Sequence, residues 1–214
     1  ETRETGPFYH ITAYDNMDVF ITQGPSFEVK VTSGKNIISD IITEVRDSAL
    51  VLENLNICNF VRGYRRRTAI NITTPNVIRV TNNGVGPVWL EPGLTQEFIR
   101  VRTESSGDVH TKGTYTTIET SAHGNGDIYL EGFSKNLFVY TYGTNYLYGH
   151  KMVVDDYMFV STESLGDILL DCSQLGQLDY LINSRGNIVY AGKPAIIRNL
   201  GKSKTATGSL VQQD

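Results

Sequence analysis

The sequence has little of what most metalloenzymes, nucleotide-binding proteins and helical membrane proteins need. It has only two cysteines, Cys58 and Cys172, too few for a disulfide framework and without a zinc-ligand spacing, and their pairing stays open. No run of about 18 apolar residues occurs, so no transmembrane helix is expected. The four histidines are scattered, and the chain has no Gly-rich phosphate loop and no nucleophile elbow. We therefore expect no metal site, no cofactor and no nucleotide or acyl-transfer chemistry.

The sequence also lacks an excess of charge of one sign. The 23 acidic and 19 basic side chains give a net charge of -4, too small a bias to favour either nucleic acid or anionic lipid as a partner. The one basic cluster is predicted to be a solvated loop and contains Arg62, Arg65, Arg66 and Arg67. The N-terminus lacks the apolar stretch of a signal peptide, so the signal or anchor of an exported protein is expected to be absent from this chain.

What the sequence does have is a turn-like tripeptide that recurs about every twenty residues. Its six copies begin 21, 19, 19, 21 and 20 positions apart, and the fourth has asparagine in place of glycine. Self-similarity at this period is typical of a solenoid. Corners are predicted at Gly86, Gly107, Gly126, Asn145, Gly166 and Gly186.

The residues around each corner alternate between apolar and polar, which predicts strands with one buried face. Five copies keep the same inward phase: Ile99, Val101 and Thr103; Ile118, Thr120 and Ala122; Leu137, Val139 and Thr141; Met158, Val160 and Thr162; Leu178, Tyr180 and Ile182. A second turn is marked by Gly93, Gly113, Gly132, Gly149 or Gly192. One rung cannot bury its apolar face alone, so the rungs are expected to stack as a parallel β-helix.

The corner residues suggest how each turn is made. Glycine is expected to supply the positive φ of a sharp corner. The polar residue beside it can accept hydrogen bonds from backbone N–H groups of the turn, which explains Asp108, Asp127, Asp167 and Asn187.

We expect a single solenoid domain over residues 1–214. Residues 81–200 hold the regular repeats and residues 201–214 form a C-terminal tail. Residues 1–80 are strand-rich without the twenty-residue register and are expected to form irregular coils and a cap. Within them, the isoleucine spacing from Asn36 to Glu44 predicts a short helix.

Several stretches resemble the head GIN domain family of auto-transporter adhesins, found in surface and secreted bacterial proteins. They are residues 17–24 (MDVFITQG), residues 42–52, residues 72–75 (ITTP) and the later Gly-Asp-Ile turns. The resemblance spans nearly the whole chain. It implies a right-handed β-helix that is shaped like pectate lyases but lacks their catalytic residues, and that serves in adhesion at the cell surface, in the periplasm or after secretion.

Aromatic side chains are too numerous to be accommodated by the inward positions. The register predicts one outward column of Trp89, His110 and Tyr129, and another of Phe138, Tyr140 and Phe159 together with Arg100, Arg102 and Glu119. Such columns can stack on sugar rings, bury against a second subunit or be covered by loops.

Two functions therefore stay open at this stage. The first is a non-enzymatic adhesion module for a glycan or a protein ligand, with self-association as a further use of the aromatic columns. The alternative is a polysaccharide-active β-helix enzyme that uses Asp108, Asp127 and Asp167. Turn chemistry already accounts for these carboxylates, and glycoside hydrolysis needs two carboxyls spaced across a cleft, so the adhesion module is favoured.

Overall fold

The structure is a computed structural model that describes residues 1–56 and 67–213. The described residues form an all-β fold, with 67% of them in strands. The strands are β1 (Thr2–Glu4), β2 (His10–Ala13), β3 (Met17–Gln23), β4 (Glu28–Thr32), β5 (Ile41–Arg46), β6 (Ala49–Asn54), β7 (Thr68–Thr74), β8 (Arg79–Asn82), β9 (Val88–Thr103), β10 (Val109–Gly124), β11 (Ile128–Gly143), β12 (Leu147–Ser164), β13 (Ile168–Cys172), β14 (Gln177–Ile182), β15 (Ile188–Gly192), β16 (Ile196–Lys202) and β17 (Leu210–Gln213).

The strands stack as a parallel solenoid of about seven turns of roughly 20 residues, which confirms the predicted architecture. Each turn has two flanks. The first flank follows the corner and contains β3, the N-terminal halves of β9 to β12, and then β13, β15 and β17. The second flank precedes the next corner and contains β2, β8, the C-terminal halves of β9 to β12, and then β14 and β16.

The buried face of the solenoid has the predicted register. Ile128 and Ile168 are fully buried, and they lie in a column that runs through Val109, Leu147 and Ile188. Of the fifteen predicted inward residues, all are buried except Tyr180, which is partly buried against the core. The inward threonines satisfy their hydroxyls within the stack, as where Thr141 Oγ1 donates to Thr162 Oγ1 at 3.0 Å.

The corner glycines are required for a different reason from the one predicted. None of the corner glycines has a positive φ. Instead, a Cβ on Gly107, Gly126 or Gly186 would lie 2.1–2.4 Å from the carbonyl oxygen of the corner one rung earlier. Left-handed backbone occurs at the second turn, where φ is 99° at Gly93 and 118° at Gly132, and two residues before the corners Gly126 and Asn145, at Gly124 and Gly143. The corners therefore need glycine for close stacking of backbone on backbone.

The polar corner residues link neighbouring rungs. The Asp127 backbone N–H donates to Asp108 Oδ1 at 2.9 Å, and the Tyr146 N–H donates to Asp127 Oδ1 at 2.7 Å. Asp167 and Asn187 repeat the arrangement toward the C-terminal end, with N–H donors at 2.7 Å and 3.0 Å. The predicted acceptor role is therefore present, but each donor belongs to the next rung rather than to the same turn.

The N-terminal segment closes one end of the solenoid. In this segment β4 pairs antiparallel with β7, β5 pairs antiparallel with β6, and β1 pairs antiparallel with β4. Arg3 reaches across this end and donates to the carbonyl oxygens of Ile41 and Ile38, the latter at 3.1 Å. The predicted helix from Asn36 to Glu44 is wrong, because only a 3-10 turn at Ile38–Asp40 forms before β5. The β-branched side chains of residues 41–43 favour the strand.

Parallel stacking extends past both bounds of the predicted repeat region. β2, β3 and β8 join the stack before residue 81, and β17 pairs with β15 after residue 200. Among the described residues no helix is long and apolar enough to cross a membrane.

Candidate ligand-binding surface

An outward column on the first flank forms a ladder of five stacked rings, here called the aromatic ladder: Phe20, Trp89, His110, Tyr129 and Tyr148. The successive ring centroids are 4.7, 5.7, 4.4 and 4.6 Å apart, and neighbouring planes differ by no more than 16°. The stack follows from the fold, because in-register parallel pairing places equivalent side chains about one strand spacing apart, ~4.8 Å.

The stacking decides which part of each ring is free. Inside the ladder both faces of a ring are covered by its neighbours, and Leu169 follows Tyr148 in register. All five rings are partly buried, so it is their outer edges that meet solvent. A sugar ring therefore cannot stack face-on within the ladder. What the edges offer are polar atoms, such as the indole N–H of Trp89 and the Tyr148 hydroxyl.

A groove of about 430 Å³ runs beside the ladder. Four rings of the aromatic ladder line one side of the groove. The other side is lined by side chains that follow these rings by two or three residues on each strand: Glu91, Lys112, Glu131, His150 and Lys151. Lys112 and Glu131 form an ion pair, which lowers the pKa of the Glu131 carboxyl. The groove thus combines ring edges with charges of both signs.

The sequence places three of the five ladder rings in one column, as the structure does, and misses two. Tyr148 stands three residues after corner Asn145, as Trp89, His110 and Tyr129 stand after their own corners. That offset was available in the sequence but was hidden by the missing glycine. Phe20 had no such signal, because the chain between it and Trp89 lacks the repeat.

Burial in the ladder changes the acid–base properties of its members. Desolvation lowers the pKa of His110, against a smaller opposite effect of Asp108. Desolvation also raises the pKa of Tyr129 to about 12, helped by the charges of Asp108 and Asp127. His110 is therefore a neutral ring between Trp89 and Tyr129 at neutral pH.

We expect the protein to become less stable as the pH is lowered, and we expect His110 to contribute to this loss. The pKa of His110 in the folded state lies below the unfolded value of ~6.5. As the pH is lowered, the unfolded chain therefore binds a proton at a higher pH than the folded chain does. The stabilisation that is present above the unfolded pKa is lost as the pH falls through this range. His10, whose pKa is also lowered by burial, acts in the same direction. Denaturant unfolding at a series of pH values should show a shallower decline for His110→Phe, which keeps a ring in the ladder.

The exposed His150 at the groove is the matched control for this prediction. His150→Gln removes one exposed histidine and leaves the ladder intact, so it serves as the comparison for His110→Phe. An identical slope in the native protein and in His110→Phe would contradict the assignment.

The second predicted aromatic column is two columns and is not a stack. Phe138 and Phe159 lie in register with Glu119 and Arg100, whereas Tyr140 lies in the adjacent column. The aromatic contacts here are edge-on or tilted, as for Tyr140 and Phe159 at 5.6 Å and 50°. Arg102 lies beside Tyr140 in a shallow pocket of about 290 Å³. The single column predicted from the sequence is therefore wrong, because outward residues two positions apart on one strand, such as Phe138 and Tyr140, belong to separate columns.

The corner carboxylates are hydrogen-bonded within the stack. Asp108, Asp127 and Asp167 are occupied by backbone N–H groups of the following rungs, and they lie in one line rather than across a cleft. In the described ranges no three His, Cys, Asp or Glu side chains come together as a metal site. The pattern fits turn formation.

Two features of the sequence fall partly outside the described residues. Cys58 and three arginines of the basic cluster, Arg62, Arg65 and Arg66, lie there, while Arg67 contacts Asp18 at 3.2 Å. Cys172 is buried in the core, and desolvation raises the pKa of its thiol to about 12, which makes it unreactive.

Comparison with known proteins agrees with this fold. The family model described as "Putative auto-transporter adhesin, head GIN domain" matches residues 7–194. No curated protein matches the chain.

Three solved structures share the architecture over 100% of this chain. They are a putative adhesin from Bacteroides fragilis (23% identity, TM-score 0.84, 95% of that chain covered), a putative lipid binding protein from Parabacteroides distasonis (18%, 0.72, 96%) and a putative adhesin from Parabacteroides merdae (13%, 0.64, 95%). At these identities the likeness establishes the fold.

Proposed function

Because the chain belongs to the head GIN domain family of putative auto-transporter adhesins, we propose that it is an exported, non-enzymatic binding module whose aromatic ladder holds a glycan. The observation that carries the proposal is the ladder itself, with the groove beside it. A family of adhesins supports a binding role and a location at the cell surface or beyond it.

The geometry favours an extended polymer laid along the solenoid axis. Ring edges and charged side chains recur at each rung, so a chain of similar units would meet the same set of groups again and again. Hydroxyl-rich sugars match the donors and acceptors at the ring edges. A glycan chain in the groove would also contact the charged row that includes Lys112 and Glu131.

Binding should depend on the ladder and on the polar atoms at its edges. Trp89→Ala should weaken glycan binding by about 1–3 kcal/mol, the scale of a contact hot spot. Tyr129→Phe together with Tyr148→Phe should cost about 1 kcal/mol per hydroxyl while leaving the stack intact. A glycan array followed by calorimetry on the strongest ligand would measure both effects.

Matched variants test whether the glycan is held by the ladder and not by another aromatic surface. Tyr9→Ala removes an exposed aromatic side chain that is not part of the ladder, and should leave binding unchanged. Tyr140→Ala, together with Phe138→Ala and Phe159→Ala, tests the second flank. If only these variants lose glycan binding, the binding site lies on the second flank. If the Tyr129→Phe and Tyr148→Phe protein binds like the native protein, the contact is not made through edge hydroxyls.

The corner carboxylates distinguish binding from catalysis. Asp108→Asn, Asp127→Asn and Asp167→Asn keep a side-chain acceptor for the next rung and should leave binding nearly unaltered. A reducing-end assay on the native protein should show no cleavage. Cleavage that these variants abolish without unfolding would replace the adhesion proposal by the enzyme.

A further inference from the structure

The two strands at the C-terminal end of the solenoid each have a neighbour on one side only. β16 pairs with β14, and β17 pairs with β15, while their outer edges carry backbone groups with no strand beside them in the described chain. Exposed strand edges readily recruit other molecules. The opposite end differs, because β1, β4 and β5 and the Arg3 side chain close it.

This C-terminal end is also apolar. Ile196, Ile197 and Leu200 of β16 are 50%, 41% and 51% exposed, and Val211 of β17 is 40% exposed. Single exposed aliphatic residues are ordinary, but here four of them lie on the last rung of the stack.

The same end is basic. Residues 179–214 contain five lysines or arginines and two acidic side chains, Asp179 and Asp214, although the whole chain has a net charge of -4. Arg198 is held by Asp179 at 3.0 Å, and Lys202 Nζ donates to the Gly208 carbonyl oxygen at 2.7 Å. Lys193 and Lys204 are exposed and make no ion pair within the described residues.

We propose that this end docks on the surface of an anionic lipid bilayer. Basic side chains attract anionic headgroups, and exposed aliphatic side chains enter the boundary between headgroups and acyl chains. Lipid phosphate oxygens also accept hydrogen bonds from edge N–H groups. A twofold contact between two such ends would instead bring like charges together. The proposal is independent of glycan binding, because it uses the end of the solenoid and not the ladder.

The test is co-sedimentation with vesicles of phosphatidylcholine alone and of equal parts phosphatidylcholine and phosphatidylglycerol. The protein should bind the anionic vesicles only, and high salt should release it. Lys193→Glu with Lys204→Glu should lower the partition coefficient at least ~30-fold, on the scale known for basic residues at an anionic surface. Leu200→Asp should also weaken binding, because it places a carboxylate among the exposed aliphatic side chains.

Two lysines at exposed positions of the N-terminal segment supply the matched control. Lys30→Glu with Lys35→Glu makes the same change in net charge and should leave vesicle binding nearly intact. An equal loss in this control, or equal binding to neutral vesicles, would overturn the proposal. So would end-to-end oligomers in analytical ultracentrifugation that the Lys193 and Lys204 changes dissociate. Thermal unfolding of each variant confirms that it is folded.

Discussion

Val160→Asp is expected to abolish cooperative folding. Val160 is fully buried at the centre of the second flank, in register with Val139 on one side and Tyr180 on the other. An unpaired carboxylate there costs several kcal/mol, which is comparable with the ~5–15 kcal/mol that stabilises a whole domain. Val139→Asp should behave in the same way. Circular dichroism during thermal unfolding would show whether a cooperative transition survives.

The neighbouring position provides the control. Ser161 points to the other face of the same strand and is only partly buried, so Ser161→Asp should unfold close to the native temperature. Reversal of the two outcomes would mean that the strand is shifted by one residue, since such a shift exchanges its faces.

Gly126→Ala is the second change expected to have a large effect. The added Cβ would lie 2.3 Å from the Gly107 carbonyl oxygen, which is backbone of the neighbouring rung and cannot turn aside. Overpacking of this kind costs about 1–3 kcal/mol or more. For a chain of this length each kcal/mol lowers Tm by ~2–4 °C, so scanning calorimetry should resolve the shift.

Gly6→Ala is the corresponding control, because a Cβ at Gly6 meets no atom within 4 Å. Its Tm should match that of the native protein. A Gly126→Ala variant that is equally stable would show that the corners can move apart, and that close backbone stacking does not explain the glycines.

The solenoid could be predicted because its contacts are regular in sequence. A residue such as Ile128 pairs with residues 19 positions before and after it, so the period of the corners gives the register directly. The N-terminal cap has no such period. Glu28 of β4 pairs with Thr73, 45 positions away, and no repeated spacing indicates it.

The wrong helix has a local cause. β5 and β6 form a hairpin whose two turn residues, Asp47 and Ser48, both have positive φ, at 50° and 62°. Turns of this type are usually signalled by Asn-Gly or Asp-Gly, and the serine here hides the hairpin. Without that signal, the isoleucine spacing around residues 37–42 favours a helix over a strand.

The candidate site was predicted in part for the same physical reasons. Trp89, His110 and Tyr129 share a column because equivalent residues of in-register strands are neighbours. That their faces cover one another could not be deduced from the register, because it depends on the side-chain rotamers of all five rings.

In-register stacking also fixes the length of the ladder in steps of one rung. Each rung adds one strand spacing of ~4.8 Å along the axis, so the five rings of the ladder mark out a contact length of about 19 Å. Because a rung touches only the rungs directly before and after it, this length can change only by whole rungs. Duplicating or deleting one corner-to-corner unit would change the reach of the groove by one fixed step, while the local chemistry of every other rung stayed the same.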